Sequence, residues 1–435
     1  MTSRSPHTPV LAALAVGYGL LTAGLALSPS AAVAEDSPPS WNQWRGPARD
    51  GRVEGPAWPG SLDGLERSWR VELGKGYPGP VVAADRVFVV ESDREGAAVV
   101  RALARATGET LWRRSWPARA EVPFFAASHG AWVRSTPAWD GETLYVGDML
   151  EVLVAFDGAS GEERWRVDFK ARYGTRAPDF GFASSPLLAG DHLYVQAANS
   201  LVKLDRATGE SVWRAAVADG DMMDSGAFSS PVMAEIAGRE QVVVFTRRAL
   251  AGVDPESGAV LWSTEVPNFR GMNIVTPTVW EDTVFVSQHR NGSHLVRVAE
   301  SAGELAATTA WSQKASGYMS SPVVIAGHAY QHLGNGRLTC IDLATGEERW
   351  RTTPLGDYWS LVHQGDRILA LDSEGTLRLL RADASAFTPL DEREVAGAST
   401  WGHLAVSGDE LFVRELEAVS AWRWPAGPAA AVAAP

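Results

Sequence analysis

A short phrase that recurs along the chain, Asp-x3-Gly-x3-Trp, constrains the fold more than any other feature. The copies are Asp157-Gly161-Trp165, Asp205-Gly209-Trp213, Asp254-Gly258-Trp262, Asp342-Gly346-Trp350 and the variant Ala104-Gly108-Trp112. The Asp carboxylate can accept hydrogen bonds from the amides that follow it, and Gly supplies the positive φ that a tight turn needs. The phrase therefore predicts a hairpin whose second strand begins near the Trp, with the indole packed between neighbouring sheets.

A second phrase, a small residue followed by proline, precedes the hairpins. It occurs at Gly79-Pro80, Thr136-Pro137, Ser185-Pro186, Ser230-Pro231, Thr276-Pro277 and Ser321-Pro322. Proline is tolerated at the first residue of a strand, and alternating apolar runs such as Thr283-Val284-Phe285-Val286 follow it. These prolines recur every 45 to 57 residues. A unit of four short strands with this spacing is typical of a propeller blade.

Two further units lack the full phrase and bring the number of units to eight. They begin at Trp359 and at Trp401, and the second ends near Trp424 without an outer strand. An orphan strand led by Trp69 precedes the first unit. We therefore predict an all-β, eight-bladed β-propeller of four-stranded antiparallel blades, closed by pairing its two ends, because closure removes an exposed sheet edge.

The ends of the chain have a different composition from the repeats. Residues 1–34 combine Arg4, a long apolar run and the small-residue site Ala32-Val33-Ala34, which predicts a signal peptide cleaved near Ala34. A retained membrane anchor is the alternative. We expect an N-terminal extension at 35–64, one propeller domain at 65–424 and a disordered Ala/Pro tail at 425–435. We therefore expect a periplasmic or secreted protein with no membrane span after cleavage.

The charge and the cysteine content exclude several classes of function. The net charge is −13, and no basic stripe is present, so nucleic acid is not an expected partner. Cys340 is the only cysteine, which excludes an intramolecular disulfide and a cysteine-rich metal site. Its apolar neighbours predict a buried side chain. We expect a monomer.

The Ser-Pro-led strand, the Ala-Thr-Gly-Glu hairpin at 207–210 and 344–347 and the following Trp together resemble the pyrroloquinoline-quinone-type propeller repeat. That repeat is shared by quinoprotein alcohol dehydrogenases and by the propeller lipoprotein of the outer-membrane assembly machine. The resemblance spans residues 65 to 424. The opening Trp41-Asn42-Gln43-Trp44-Arg45-Gly46-Pro47 also resembles the leader of exported bacterial proteins of this type.

The dehydrogenase side of this resemblance implies pyrroloquinoline quinone with calcium, held by an adjacent cysteine pair, a metal site and a catalytic Asp. The chain has one cysteine and no set of residues that can be carried over as metal ligands, so we predict no cofactor, no metal and no catalytic residue. The expected function is a non-catalytic binding or scaffold module for a protein or extended polymer in the cell envelope. The alternatives are a quinone-dependent oxidoreductase and a polysaccharide-binding or -cleaving propeller.

A binding site is expected where loops enter the innermost strands, because these loops line one mouth of the central channel. Charged groups in such an aromatic setting need a partner or a ligand. The alternative is ordinary packing that plugs the channel. The candidate binding residues are Arg134, Asp179, Asp224, Arg270, Asn273, Tyr318 and Trp359.

Overall fold

The computed structural model describes residues 40–218 and 226–425. The predicted signal peptide, most of the predicted tail and the candidate Asp224 lie outside the described residues. Within these two stretches, no helix has the length and apolar character to cross a membrane. Apart from strands, the described chain contains a 3-10 helix, Phe124–His129, and a short α-helix, Phe169–Tyr173.

Within the described residues, thirty-two strands form eight antiparallel four-stranded sheets, the blades. Strand β1 is Glu66–Glu72. Blades 1 and 2 comprise β2 Val81–Val82, β3 Arg86–Ser92, β4 Ala98–Ala104, β5 Thr110–Trp116, β6 Ala138–Trp139, β7 Thr143–Gly147, β8 Val152–Asp157 and β9 Glu163–Asp168. Blades 3 and 4 comprise β10 Leu187–Ala189, β11 His192–Ala197, β12 Ser200–Asp205, β13 Ser211–Ala215, β14 Val232–Ile236, β15 Arg239–Phe245, β16 Ala249–Val253 and β17 Val260–Glu265.

The remaining blades follow the same order. Blades 5 and 6 comprise β18 Thr278–Trp280, β19 Thr283–Gln288, β20 Gly292–Ser301, β21 Glu304–Gln313, β22 Val323–Ile325, β23 His328–His332, β24 Leu338–Asp342 and β25 Glu348–Arg351. Blades 7 and 8 comprise β26 Ser360–Gln364, β27 Arg367–Leu371, β28 Thr376–Arg381, β29 Thr388–Glu394, β30 Ala405–Ser407, β31 Glu410–Glu415 and β32 Ala418–Arg423, and β1 is the fourth strand of blade 8.

The ring closes through the two ends of the propeller. Inner strands of neighbouring blades contact each other, as β6 with β10, β10 with β14, β18 with β22 and β22 with β26 show, and β2 of blade 1 contacts β30 of blade 8. Strand β1 pairs antiparallel with β32, with Glu66 opposite Arg423 and Glu72 opposite Ala418. The predicted eight-bladed propeller and its closure by the Trp69-led strand are therefore confirmed.

Docked tryptophans join most blades to the next one. At six junctions of the described structure, an indole N–H donates to a hairpin carbonyl of the following blade, over 2.8–3.2 Å: Trp69 to Arg105, Trp112 to Gly158, Trp165 to Arg206, Trp213 to Pro255, Trp311 to Leu343 and Trp350 to Asp383. The hairpin glycine lies against the indole, and a Cβ at Gly161 would meet Trp112 at 2.7 Å. The predicted docking of tryptophan between sheets is confirmed.

The junction between blades 4 and 5 departs from this pattern. Blade 5 has no Asp/Gly hairpin, and its ten-residue strands β20 and β21 continue past the bulge beside Trp311. The extended hairpin lies against blade 4, where buried Leu305 joins the cluster that contains Trp262. The Trp262 indole donates to Gln241 of its own blade instead of to the next hairpin.

Residues 41–53, here called the plug, lie in the central channel. The backbone of Trp41 pairs with Val82 of blade 1, and Val53 N donates to the His363 carbonyl of blade 7. The plug also reaches inner residues of blades 2, 3, 5 and 6: Trp139, Leu188, Thr276 and Pro322. Because inner strands surround the axis, a segment that contacts six of the eight blades must cross the channel.

Candidate binding site at the channel mouth

Eight connections join the outer strand of one blade to the inner strand of the next, all at the same end of the propeller, here called the mouth. Each connection contributes one half-buried aromatic side chain. These eight residues, here called the mouth ring, are Tyr77, Trp132, Phe180, Phe228, Phe269, Tyr318, Tyr358 and Trp401. The repeat of the fold therefore places an aromatic group in every gap around the channel.

The aromatic side chains contact one another over most of the mouth ring. Tyr77 lies between Trp132 and Trp401, with ring centroids 5.7 Å and 5.2 Å away. Trp401 lies 4.4 Å from Tyr358, which lies 5.7 Å from Tyr318. Such ring pairs are worth about 0.5–1.5 kcal/mol each beyond the area they bury.

The arc continues through one histidine. His289, in the turn between β19 and β20, lies 4.4 Å from Tyr318 and 5.8 Å from Phe269. On the other side of the mouth, Phe180 and Phe228 form a separate pair at 5.3 Å. Trp132 and Phe269 therefore mark the two ends of a continuous aromatic arc.

Four cationic side chains lie over the faces of rings in the aromatic arc, and a fifth, Arg247, lies 4.8 Å from the Phe228 ring of the separate pair. Lys75 is 4.9 Å from the Trp132 ring, and Arg134 is 5.4 Å from the Tyr77 ring. Arg270 and Arg290 lie 5.3 Å and 4.9 Å from the Phe269 ring. We call these four residues the mouth cations. They lie at the two ends of the aromatic arc.

The mouth cations shift the titration of their neighbours. Burial lowers the pKa of Arg134, and the nearby Tyr77 opposes that shift. Burial and then Arg134 lower the pKa of His129, while burial and then Arg290 lower the pKa of His289. Both histidines are therefore biased towards the neutral form, chiefly by burial and in addition by the neighbouring guanidinium group.

The plug supplies two more buried cations below the mouth. Arg45 and Arg49 are each 1% exposed. Arg45 donates to the carbonyls of Asp50 and Pro322, and Arg49 donates to those of Ser185 and Pro186. Burial lowers their pKa values, to about 10 for Arg45 and about 9 for Arg49. They hold the inner ends of the blades together through carbonyls.

The plug also reaches the connections themselves. Trp44 donates its indole N–H to Thr276 Oγ1 over 2.9 Å, and its ring contacts His403 at 5.0 Å. Burial, and next the charge of Arg45, lower the pKa of His403 to about 3. Because Thr276 and His403 lie where connections enter blades 5 and 8, the plug forms the floor of the mouth.

A belt of hydroxyl groups explains the serine before Pro186, Pro231 and Pro322. Thr136 N donates to Ser185 Oγ, Ser185 N donates to Ser230 Oγ, and Thr276 N donates to Ser321 Oγ, over 3.0, 3.0 and 3.1 Å. Each hydroxyl thus satisfies a buried amide of the preceding blade, as buried polar groups require. The sequence showed the small size of these residues and not this inter-blade bond.

The structure divides the candidate residues of the sequence into two groups. Arg134, Arg270 and Tyr318 lie at the mouth, and Asp179 lies in the connection to blade 3, where Arg176 bonds to it at 2.6 Å. Asn273 is buried and donates to the Thr246 carbonyl. Trp359 is 1% exposed and stacks on His332. Asn273 and Trp359 therefore stabilise the connections from the protein interior.

The residues that sequence analysis missed are chiefly Tyr77, Tyr358 and Trp401. One signal could have found them: every connection contains an aromatic residue shortly before its inner strand. Trp359 was selected in place of its neighbour Tyr358. Tyr358 has a positive φ of 52°, and this local turn separates the buried indole from the half-buried phenol.

The residues of this chain do not fit the quinone site of the related dehydrogenases. Cys340 is buried in β24, the third strand from the centre of its blade, so no cysteine pair can form. Residues 40–218 and 226–425 contain no cluster of three or more His, Cys, Asp or Glu that could hold a metal ion. The plug also occupies the channel.

Eight four-stranded blades with docked tryptophans define a quinoprotein-like β-propeller. The family model described as "Outer membrane protein assembly factor BamB" matches residues 96–352. Since this match covers more than half of the chain, the protein belongs to that family.

Named relatives and solved structures agree with this assignment. The BamB proteins of Yersinia pestis and Shewanella oneidensis are each 25% identical, over 271 and 276 residues. These matches cover 56% and 57% of this chain and 64% and 65% of the relatives, so the chain spans less than two thirds of their length.

Two solved structures share the fold. BamB from Moraxella catarrhalis has a TM-score of 0.61 at 17% identity, covering 84% of this chain and 99% of that one. The quinohemoprotein alcohol dehydrogenase from Comamonas testosteroni has a TM-score of 0.63 at 13% identity, covering 90% and 81%. At these identities, the likeness concerns the fold alone.

Proposed function

We propose that this protein is an exported, non-catalytic scaffold that binds a polypeptide at its mouth during the assembly of outer-membrane proteins. The family and the names of the relatives support the assembly role. The mouth ring is the observation that carries the binding role. Eight half-buried aromatic side chains on connecting loops surround a channel that the plug closes from below.

The composition of the mouth is that of a protein interface. Trp, Tyr and Arg dominate the energetics of protein–protein interfaces, and all three types meet at Trp401, Tyr77 and Arg134. A contiguous aromatic patch on a soluble protein marks an interaction surface. Binding residues commonly lie on loops that a rigid scaffold positions. Here the closed ring of blades is that scaffold.

The polar groups of the mouth hold the loops in place. Tyr77 donates its hydroxyl proton to the His129 carbonyl over 2.9 Å, and Arg134 donates to the Gly130 carbonyl over 2.8 Å. Burial raises the pKa of Tyr77, which keeps its hydroxyl protonated. These bonds support preformed aromatic surfaces, which lower the ordering cost of binding a partner.

Site-specific photo-crosslinking in the bacterium tests the proposal. A photoreactive phenylalanine analogue replaces Tyr358 or Trp401 at the mouth, and adducts are identified by mass spectrometry. We expect both positions to crosslink to an outer-membrane protein or to a component of its assembly machinery. Deletion of the gene should lower the amounts of outer-membrane β-barrel proteins, measured by quantitative proteomics.

Matched controls are available on the outer strands. Leu111 of β5 and Val260 of β17 are exposed apolar residues, at 49% and 48%, and they lie far out on their blades. The analogue at these positions should give no such adducts. Equal crosslinking from all four positions, or adducts only from Leu111 and Val260, would contradict binding at the mouth.

A further inference from the structure

The mouth cations differ from the other arginines of the protein in their partners. Elsewhere, several half-buried arginines meet carboxylates, as in the pairs Arg101–Glu91 at 2.7 Å and Arg378–Asp372 at 2.7 Å, whereas the plug arginines Arg45 and Arg49 meet backbone carbonyls. Within the described parts of the chain, Arg134, Arg270 and Arg290 form no ion pair, and Lys75 reaches Glu417 only at 3.9 Å. A chain of net charge −13 therefore gathers unneutralised positive charge at its mouth.

The position of the mouth cations determines which anionic groups they can bind. A guanidinium that lies over an aromatic face keeps its N–H edge free to bind a carboxylate with two parallel hydrogen bonds. Arg270 and Arg290 lie in this way over Phe269, and Arg134 lies over Tyr77 with one of its N–H groups already donating to the Gly130 carbonyl. The same placement covers those ring faces, so they are less available for stacking a sugar ring.

Along the aromatic arc of the described residues, cationic side chains lie at the two ends and rings without a cation lie between them. Lys75 and Arg134 lie at the Trp132 end, and Arg270 and Arg290 lie at the Phe269 end. Between them, the rings of Trp401, Tyr358 and Tyr318 have no cation over them in the described structure. An acidic neighbour of this middle section is Asp357, beside Tyr358.

We propose that the mouth binds an extended polypeptide segment that carries acidic residues at both ends of an aromatic or apolar stretch. This inference rests on the proposed function and specifies the chemistry of its partner. The carboxylates bind the mouth cations, and the apolar middle packs on Tyr318, Tyr358 and Trp401. Desolvated charge pairs and aromatic packing together give both affinity and orientation.

Fluorescence anisotropy with synthetic peptides tests this inference on the purified full-length protein. The probe is a labelled twelve-residue peptide with two Glu at each end and Phe, Tyr and Leu between them. The matched peptide has Lys in place of every Glu. We expect the acidic peptide to bind at least tenfold more tightly than the Lys peptide, and we expect its affinity to fall as salt is raised.

A triple variant, R134Q/R270Q/R290Q, should weaken binding of the acidic peptide at least tenfold. The control R113Q/R239Q/R297Q changes the net charge by the same amount at arginines outside the mouth, and none of those three has an ion pair in the described structure. The control should bind like the wild type. Unchanged melting of both variants, followed by circular dichroism, shows that folding is intact.

Three other outcomes would contradict the inference, and each can be distinguished from the other two. Equal binding of the acidic and Lys peptides, with no effect of the triple variant, overturns the charge pattern and leaves the proposed scaffold role standing. Tighter binding of oligogalacturonate than of the acidic peptide assigns the mouth to an anionic glycan and overturns the inference. Failure of every peptide, together with crosslinks absent from Tyr358 and Trp401, overturns both proposals.

Discussion

The two ends of the propeller are built by different rules. At the hairpin end, opposite the mouth, one local phrase repeats: Asp157 accepts from the amides of Ala159 and Ser160, and the turn then presents Gly161 to Trp112 of the preceding blade. At the mouth, connections of unequal length share an aromatic residue and, in six of them, a small residue before proline. The difference shows that a repeated local turn fixes the hairpin end, whereas no single turn is repeated at the mouth.

The largest expected effect comes from the strand that closes the ring. A deletion up to Val71 removes the plug and nearly all of β1, and it exposes the paired edge of β32. We expect cooperative folding to be lost, because an open ring leaves a sheet edge and a buried Trp422 uncovered. Calorimetry of the truncated protein checks this, and deletion of residues 1–34 alone is the control. An unchanged cooperative transition in the truncated chain would contradict the claim that β1 closes the ring.

The sequence predicted the hairpin end better than the mouth for a physical reason. The bonds of Asp157 and the φ of 70° at Gly161 are local, so they are encoded within a few residues. The docking of Trp311 was missed because blade 5 replaces the Asp/Gly turn by a longer hairpin. At the mouth, the role of Asn273 depends on Thr246, which is distant in sequence, and no local pattern reveals it.

Two glycines at the hairpin end allow the contribution of tryptophan docking to stability to be measured separately from that of turn geometry. Gly161 and Gly238 both have φ of 70°, so alanine at either site costs about 1 kcal/mol of backbone strain. Only at Gly161 would the new Cβ meet an indole, 2.7 Å from Trp112, while Gly238 has open space. We expect Gly161→Ala to lower the free energy of unfolding by about 2–4 kcal/mol, since overpacking adds about 1–3 kcal/mol.

Urea unfolding of both variants measures the difference. Gly238→Ala should lose only about 1 kcal/mol, the strain that both sites share. If the two substitutions cost the same, the contact between glycine and indole does not contribute, and the hairpin end is held by its turns alone.

The smallest expected effect lies at the mouth end, in the turn between β7 and β8. Glu151 is 1% exposed, one carboxylate oxygen accepts from Ala198 N of blade 3 over 3.2 Å, and the other has no partner. Burial, assisted by Asp168 and Asp148, raises the pKa of Glu151 to about 7, against Lys170 and the Ala198 amide. The carboxyl group therefore joins two blades best in its neutral form.

The sign of the pH dependence follows from this shift. Because the pKa is higher in the folded state than its ordinary value of 4.5, the folded protein holds the extra proton between pH 4.5 and 7, and stability falls as the pH rises through that window. Glu151→Gln cannot ionise, so it should be more stable than the wild type at pH 8 by about 1–3 kcal/mol and should match it near pH 4.5. Urea unfolding at both pH values tests this, with exposed Glu109→Gln as the control. An identical pH slope in Glu151→Gln and the wild type would show that ionisation of Glu151 does not contribute to the pH dependence of stability.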